Sequence, residues 1–298
     1  MSAFFGLLNL DKPAGMSSRT AVDVVERLVH PAKVGHAGTL DPIATGVLVV
    51  CVGSATRLIS FVQEGRKVYR ATFRFGVTSV TDDVEGFVSS VPNAPRLTRD
   101  DVEAALPEFV GTIEQIPPVF SAVHVGGRRA YELARRGEAV ALAPRSVEIH
   151  RYEAIDFDEE SQELTAEIEC GSGTYVRSLG RDLAKRLGTA AVMTGLRRTA
   201  VGPFTIDRAI SPSSLTLESL PSRLLPASTA VTELRHIPLD ETQTVAIRHG
   251  KFLPKPDGPR LEADEPVALF APDARLAAVA TFNPVDSTLR PKIVLPVE

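Results

Sequence analysis

The sequence predicts an α+β fold: a mixed, mostly antiparallel sheet with helices packed against it. Three observations lead there. Several segments alternate apolar and polar residues with a period of two. Others repeat apolar residues at i, i+3, i+4 and i+7. The two kinds intermix without a regular βαβ rhythm, and no internal repeat is present.

The elements follow in chain order. In "SRTAVDVVERLVH", Ala21, Val24, Val25 and Leu28 carry the helical spacing, and Ser17 or Ser18 is the expected N-cap. "VLVVCVG" (47–53) is a continuous apolar run suited to a buried strand. Ser54 is placed to cap a helix that buries Ala55, Leu58, Ile59 and Val62. "VYRATFRFG" (68–76) alternates, with Tyr69, Ala71, Phe73 and Phe75 on one face, and "LTAEIEC" (164–170) does the same with Leu164, Ala166, Ile168 and Cys170. "CGSGTYVRSLGRDLAKRLG" (170–188) reads as a strand end, a Gly-Ser-Gly turn, Thr174 as N-cap and a helix burying Val176, Leu179, Leu183, Ala184 and Leu187, which Gly188 ends. Beyond the Ser- and Pro-rich stretch from Ser211 to Ser228, four β-like runs appear: "QTVAIRHG", "PVALFA", "LAAVATF" and "KIVLPV". They suggest a small β domain over 231–298 appended to a larger one over 1–230.

Composition bounds the function. The chain has 298 residues, is 44% hydrophobic and contains no tryptophan. No apolar run approaches the ~20 residues of a membrane span. The start lacks a basic region before its short apolar stretch, so no signal peptide is expected. Cys51 and Cys170 sit in strand-like runs and read as buried thiols of a reducing compartment, without metal-type spacing. A cytoplasmic protein is expected. The net charge of −4 speaks against nucleic acid, but its distribution does not. Glu153–Glu169 holds eight acids and no base, while 177–198 and 124–138 are basic. Screening limits the reach of a distant charge to ~8 Å at physiological salt, so a basic face can coexist with an acidic total.

Two stretches carry candidate chemistry. "GHAGTLDPIATG" (35–46) holds one acid, Asp41, among three glycines, and Pro42 biases Asp41 away from the helical region. It is either a structural Asp-Pro turn or a loop that brings a carboxylate to a substrate. It is not a P-loop, and no GxGxxG occurs. His36 is either a hydrogen-bonded structural histidine or an RNA contact. Arg177 falls in the first turn of its helix, where the macrodipole disfavours a cation by ~0.3–1 kcal/mol. It either extends into solvent or meets an anion such as Asp41 or a phosphate. Tyr69, at the start of its strand, is a core aromatic or a flat face for an unstacked base.

Five segments together, "LLNLDKPAGMSS" (7–18), "GHAGTLDPIATGVLVVCVGSATRL" (35–58), "KVYRATFRFGVTSVTDDVEG" (67–86), "PPVFSAVHVGGRRAYELARRGE" (117–138) and "GSGTYVRSLGRDLAKRLG" (171–188), closely resemble the bacterial TruB family of tRNA pseudouridine synthases. They occur in family order and cover the chain from Leu7 to about Arg198. The resemblance implies the pseudouridine synthase fold with a small C-terminal barrel-like PUA domain, which the last segment resembles weakly.

The resemblance also implies roles. Asp41 matches the essential catalytic aspartate, Tyr69 the tyrosine that stacks on the target base, and Arg177 the arginine that pairs with the aspartate. His36 matches the histidine that holds flipped nucleotides, and Lys12, Asp83, Tyr175 and Leu196 match supporting positions. The insertion at about 115–145, with Arg128 and Arg129, corresponds to a mobile element that clasps the RNA stem-loop. The implied reaction isomerises uridine 55 in the T arm of tRNA, with no cofactor, no metal, no guide RNA and no obligate protein partner, in a monomer. Two other readings set against this are a guide-dependent enzyme of the archaeal and eukaryotic branch and a non-catalytic RNA-binding or tRNA-folding protein.

Overall fold

The computed structural model describes residues 4–121, 123–256, 258 and 260–296. The chain begins with β1 (Gly6–Lys12), α1 (Ser18–Val29), β2 (Val34–His36) and β3 (Thr45–Val52). A 3-10 turn and α2 (Ile59–Glu64) lead into β4 (Lys67–Phe75). A two-stranded ribbon, β5 (Val77–Thr78) with β6 (Ser89–Ser90), precedes α3 (Arg99–Ala105) and β7 (Gly111–Gln115). A second ribbon, β8 (His124–Val125) with β9 (Arg128–Arg129), and α4 (Ala130–Arg135) fill the connection to β10 (Arg145–Asp158). Then come β11 (Glu163–Cys170), α5 (Val176–Arg186), β12 (Ala191–Val201) and β13 (Phe204–Thr205). The larger sheet runs β1-β3-β12-β4-β11-β10-β7, with β2 on β3 and β13 on β12. Its pairs are antiparallel except β3 with β12.

That parallel pair positions the site. Gly46 of β3 lies opposite Arg198 of β12, which lies opposite Tyr69 of β4. A Cβ on Gly46 would fall 2.2 Å from the Arg198 carbonyl oxygen, and its φ of +100° is closed to most side chains. Glycine is therefore required where the loop bearing Asp41 enters the sheet beside Tyr69. The alternation in β4 holds: Tyr69, Ala71, Phe73 and Phe75 are buried and pack with Leu164, Ala166 and Ile168 of β11 and with Leu179 and Leu183 of α5. Gly180 lets α5 sit directly on the sheet, since a Cβ there would lie 2.2 Å from the Phe73 ring.

The rest of the chain forms α6 (Leu220–Arg223), α7 (Glu241–Arg248) and a five-stranded sheet of β14 (Arg235–Pro238), β15 (Leu253–Pro254), β16 (Pro266–Phe270), β17 (Leu276–Asn283) and β18 (Thr288–Val294). Its order is β14-β16-β17-β18-β15. Ala268, Val279 and Leu295 share one apolar cluster with Leu7, Val47 and Val49, so its core is continuous with that of the larger sheet. Among the described residues no helix is long and apolar enough to cross a membrane.

Four local expectations change. Helix α1 is capped by Ser17 but buries Ala21, Val22, Val25 and Val29, a face rotated from the one through Val24 and Leu28. The helix expected from Ser54 begins as a 3-10 turn over Gly53–Leu58, with the Thr56 hydroxyl donating to the Gly53 carbonyl at 2.7 Å. The N-cap of α5 is Tyr175, because the Thr174 hydroxyl turns back to the Gly171 carbonyl. The run "QTVAIRHG" is a helix, α7: Asp240 and Gln243 form a capping box, and Thr244 and Ile247 are buried on one face. The other three β-like runs are strands, and Val297, at the end of the last, lies outside the described residues.

Candidate active site

The loop before β3 is held from three sides. The Ser18 hydroxyl at the start of α1 donates to the Leu40 carbonyl at 3.1 Å and accepts from the Leu40 N–H at 2.9 Å. The Lys12 ammonium at the end of β1 donates to the carbonyls of Pro13, Met16 and Pro42. From below, Arg198 donates to the Gly38 carbonyl at 3.1 Å and the Val47 carbonyl at 2.7 Å. Asp41 is therefore presented by a braced backbone. Its carboxylate keeps about a third of its surface open, 34%, to a cleft of about 1020 Å³.

Across that cleft stands Arg177, the second helical residue of α5. Its Nη2 lies 3.1 Å from Asp41 Oδ2 and its Nη1 3.4 Å from Asp83 Oδ2. The same two nitrogens donate to the carbonyls of Thr81 at 2.9 Å and Phe120 at 3.2 Å. The anions answer the macrodipole's opposition to a cation at this helix end. Asp83 is 2% exposed and is fixed in turn by the Thr81 hydroxyl at 2.6 Å and the Glu85 N–H at 3.0 Å. Guanidinium donors pinned by four acceptors define the position of Asp41 more tightly than one ion pair could.

The electrostatics oppose one another. Burial pushes the Asp41 carboxyl above the usual aspartate value; Arg177 pulls it down, Asp83 pushes it up and Lys12 pulls it down, with a net rise. Burial likewise raises the Tyr69 phenol, with Arg198 beside its hydroxyl pulling the other way, so the ring stays neutral at physiological pH. At the far end of the cleft burial brings the Lys67 ammonium down to about 8, and its Nζ donates to the Gln63 carbonyl.

Asp41, Tyr69, Arg177, Asp83, Tyr175, Leu196 and Arg129 all line this one cleft. Three of the residues singled out from sequence do not. Lys12 is fully buried and serves the loop's backbone. His36 sits in β2 opposite Val50, and burial followed by Arg198 lowers its pKa, which leaves the imidazole uncharged at neutral pH. Arg128 points to Glu138, 4.0 Å away. Gln115 was not anticipated; its side-chain amide holds Tyr175 through both backbone groups, at 2.8 and 3.1 Å. Nor was Arg198, although a signal existed. Arg197 and Arg198 are consecutive in a strand, so they must face opposite sides, and one of them must enter the protein. Arg197 meets Asp11 at the surface and Arg198 is 2% exposed.

Comparison with known proteins gives the family and the fold. Residues 26–176 match the family model described as TruB family pseudouridylate synthase, N-terminal domain, and residues 177–237 match that of the tRNA pseudouridylate synthase B C-terminal domain. The chain belongs to the TruB family. It is 41% identical to the tRNA pseudouridine synthase B of Arthrobacter sp. (strain FB24) over 92% of each chain. It is 42% identical to that of Thermobifida fusca over 92% of this chain and 94% of the relative. Among solved structures, an H/ACA RNP bound to a substrate RNA containing 2′-deoxyuridine superposes with a TM-score of 0.75 at 22% identity, covering 98% of this chain and 86% of that one. The archaeal box H/ACA Nop10–Cbf5 complex gives 0.74 at 23%, with the same coverage. The TruB chain described here thus has the pseudouridine synthase fold, with Asp41 and Arg177 facing each other at its cleft.

Proposed function

We propose that this chain isomerises the T-arm uridine conventionally numbered 55 of tRNA to pseudouridine, acting alone and without a cofactor. The observation that carries the proposal is the Asp41–Arg177–Asp83 constellation in the cleft of a chain of this family. The reaction breaks the N1–C1′ bond, turns the uracil and forms C5–C1′. C5 loses a proton and N1 gains one, so atoms and electrons balance with no redox step.

The target base must first leave the RNA stack, at a cost of a few kcal/mol. Tyr69 offers a neutral aromatic face that offsets part of that cost. Asp41 supplies the carboxylate, which either attacks C1′ or promotes loss of the base to a glycal; both routes need it ionised. Arg177 favours that form and orients it. Arg129, Tyr131 and Arg135, from the β8–β9 ribbon and α4, line the outer cleft, which suits the proposal that the insertion at about 115–145 grips the stem-loop. We further assign residues 1–230 to catalysis and 231–298 to a PUA-like RNA-binding domain, in a cytoplasmic monomer.

The test is tritium release from a T-arm stem-loop labelled at uracil C5, with purified protein and no guide RNA. Release by the wild type and none by Asp41→Ala, with RNA affinity kept, is the expected result. No release by the wild type despite binding would overturn the stand-alone enzyme and favour the guide-dependent reading.

A further inference from the structure

Two buried cations, Lys67 and Arg198, line the cleft without a carboxylate to balance either of them. Among the described residues their side-chain nitrogens donate to backbone carbonyls instead, Arg198 to those of Gly38 and Val47 and Lys67 to that of Gln63. Arg177, across the cleft, is the contrast, since Asp41 and Asp83 both meet its charge. Arg198 braces the loop that carries Asp41, which accounts for it. Nothing in the chemistry above uses Lys67, and a buried ammonium without an anion is costly to keep.

Lys67 opens β4 and Tyr69 follows two residues later, so their side chains leave one face of the strand about 7 Å apart. The elements packed around Lys67 leave its charge in place. Glu64 of α2 favours the charged form but makes no ion pair with it, and Arg198 of β12 repels it. Cys170, its partner on β11, is a thiol that burial pushes up to about 11, and so is uncharged. With its own value at about 8, Lys67 is still mostly protonated at neutral pH. An ammonium has three N–H donors, and the Gln63 carbonyl takes one of them.

We propose that Lys67 is a catalytic residue, whose ammonium meets a carbonyl oxygen of the target uracil and stabilises the negative charge the ring acquires when N1–C1′ breaks. The inference rests on the isomerisation proposed above. Heterolysis leaves the bonding electron pair on the uracil, spread over N1, O2 and O4. A half-turn of the freed ring about its N3–C6 axis exchanges N1 with C5 and brings O4 to the place that O2 held. One fixed cation therefore faces a carbonyl oxygen before and after the turn. Once C5 has joined C1′, C5 loses its proton and N1 gains one, while Lys67 keeps its own throughout. Position selects the base over a phosphate. Lys67 and Tyr69 are both buried, whereas Asp41 keeps about a third of its surface open. A ring lying on Tyr69 with its C1′ at Asp41 points inward, and the sugar-phosphate chain stays on the open side. A cation held ready in so dry a place acts without rearrangement at the moment of bond breaking.

The test compares Lys67→Met with the wild type in single turnover, on T-arm stem-loops carrying either uracil or 5-fluorouracil at the target. The readout is consumption of the N-linked nucleoside. Fluorine withdraws electrons, so the fluorinated ring needs less help with its charge. Lys67→Met is expected to slow the uracil substrate by about 10²–10³-fold and the fluorinated one at least about tenfold less. Each variant's two rates come from one preparation, so a partly unfolded sample cannot create that difference. Affinity for the uracil stem-loop, measured in the Asp41→Ala background, should stay within about twofold of the parent. Equal slowing of both substrates would overturn the role, as a group that only shapes the site or grips a phosphate does not sense the fluorine. So would a loss of affinity as large as the loss of rate. An inactive wild type would sink the isomerase reading and this role with it, whereas equal slowing in an active enzyme sinks the role alone.

Discussion

Arg177 and Arg151 each face three or four polar partners, yet they stand in different physical regimes. Arg177 is 8% exposed, pinned between Asp41, Asp83 and two backbone carbonyls. Arg151, on β10, is 37% exposed and reaches Glu167 at 2.6 Å, Glu153 at 3.7 Å and Glu169 at 3.9 Å. Glu167 and Glu169 lie on the face of β11 opposite its buried Leu164, Ala166 and Ile168, and Glu153 pairs with Glu167 from β10. Water screens the outer cluster, so its pairs are worth little; the inner one is desolvated, and losing the shared arginine strands the carboxylate buried against it. The same residue types therefore fix geometry in the cleft and only balance charge on the outer sheet.

The largest effect should come from Asp41→Asn. Tritium release is expected to fall by about 10⁴-fold or more, as when a reacting side chain is removed. Stability should hold or rise. A carboxyl whose pKa is raised on folding binds its proton more readily in the native state, so stability falls as pH climbs from the unfolded value through the folded one. At neutral pH that cost is present, and asparagine removes it. A thermal melt clearly below the wild type would contradict the net direction assigned to Asp41. By the same reasoning, the acid limb of wild-type turnover should lie above the ordinary aspartate value.

Arg177→Met comes next. It leaves Asp83, 2% exposed, without its cation and unties Thr81 from Phe120. A loss of about 3–5 kcal/mol in urea unfolding is expected, along with the activity. A loss under 1 kcal/mol would place Arg177 in the same regime as Arg151.

How far this contrast was legible in the sequence depends on the signal each residue leaves. Period-two alternation in β4 and β11 is written in consecutive residues, so both faces could be read. The glycine loop announced a constrained Asp41, but a turn and a catalytic loop look alike until Arg177 is brought across from a residue far along the chain. The resemblance to a known family supplied that pairing, and the spacing of residues did not. Helix α7 was misread because Val245, Ala246 and Ile247 suit a strand equally well, and the Asp240–Gln243 box that decides the matter lies just ahead of them. Lys12, a supporting position implied by the resemblance, sends its ammonium to three backbone carbonyls, a bracing that no spacing in the sequence signals.

Gly46→Ala probes the floor of the inner region. The new Cβ would meet the Arg198 backbone at a φ of +100°, so the β3–β12 pairing must open or shift. About 1–3 kcal/mol of destabilisation is expected, together with weaker turnover, because the displaced segment carries both Asp41 and the Gly38 and Val47 carbonyls that Arg198 holds. An unfolding curve that overlays the wild type would show that the loop tolerates movement there.

Arg151→Ala should do the least. Glu153 and Glu167 lie directly opposite each other on β10 and β11, a like-charge arrangement that Arg151 offsets. Removing it unmasks that repulsion, but in water the expected cost is below about 1 kcal/mol. Raising the salt to 1 M, where the screening length is ~3 Å, should erase most of the difference in melting temperature. Turnover should be unchanged, because the acidic face takes no part in the cleft. If the cost instead survives high salt, the outer cluster holds the strands by packing of the arginine stem rather than by charge, and Arg151→Met would then recover what Arg151→Ala lost.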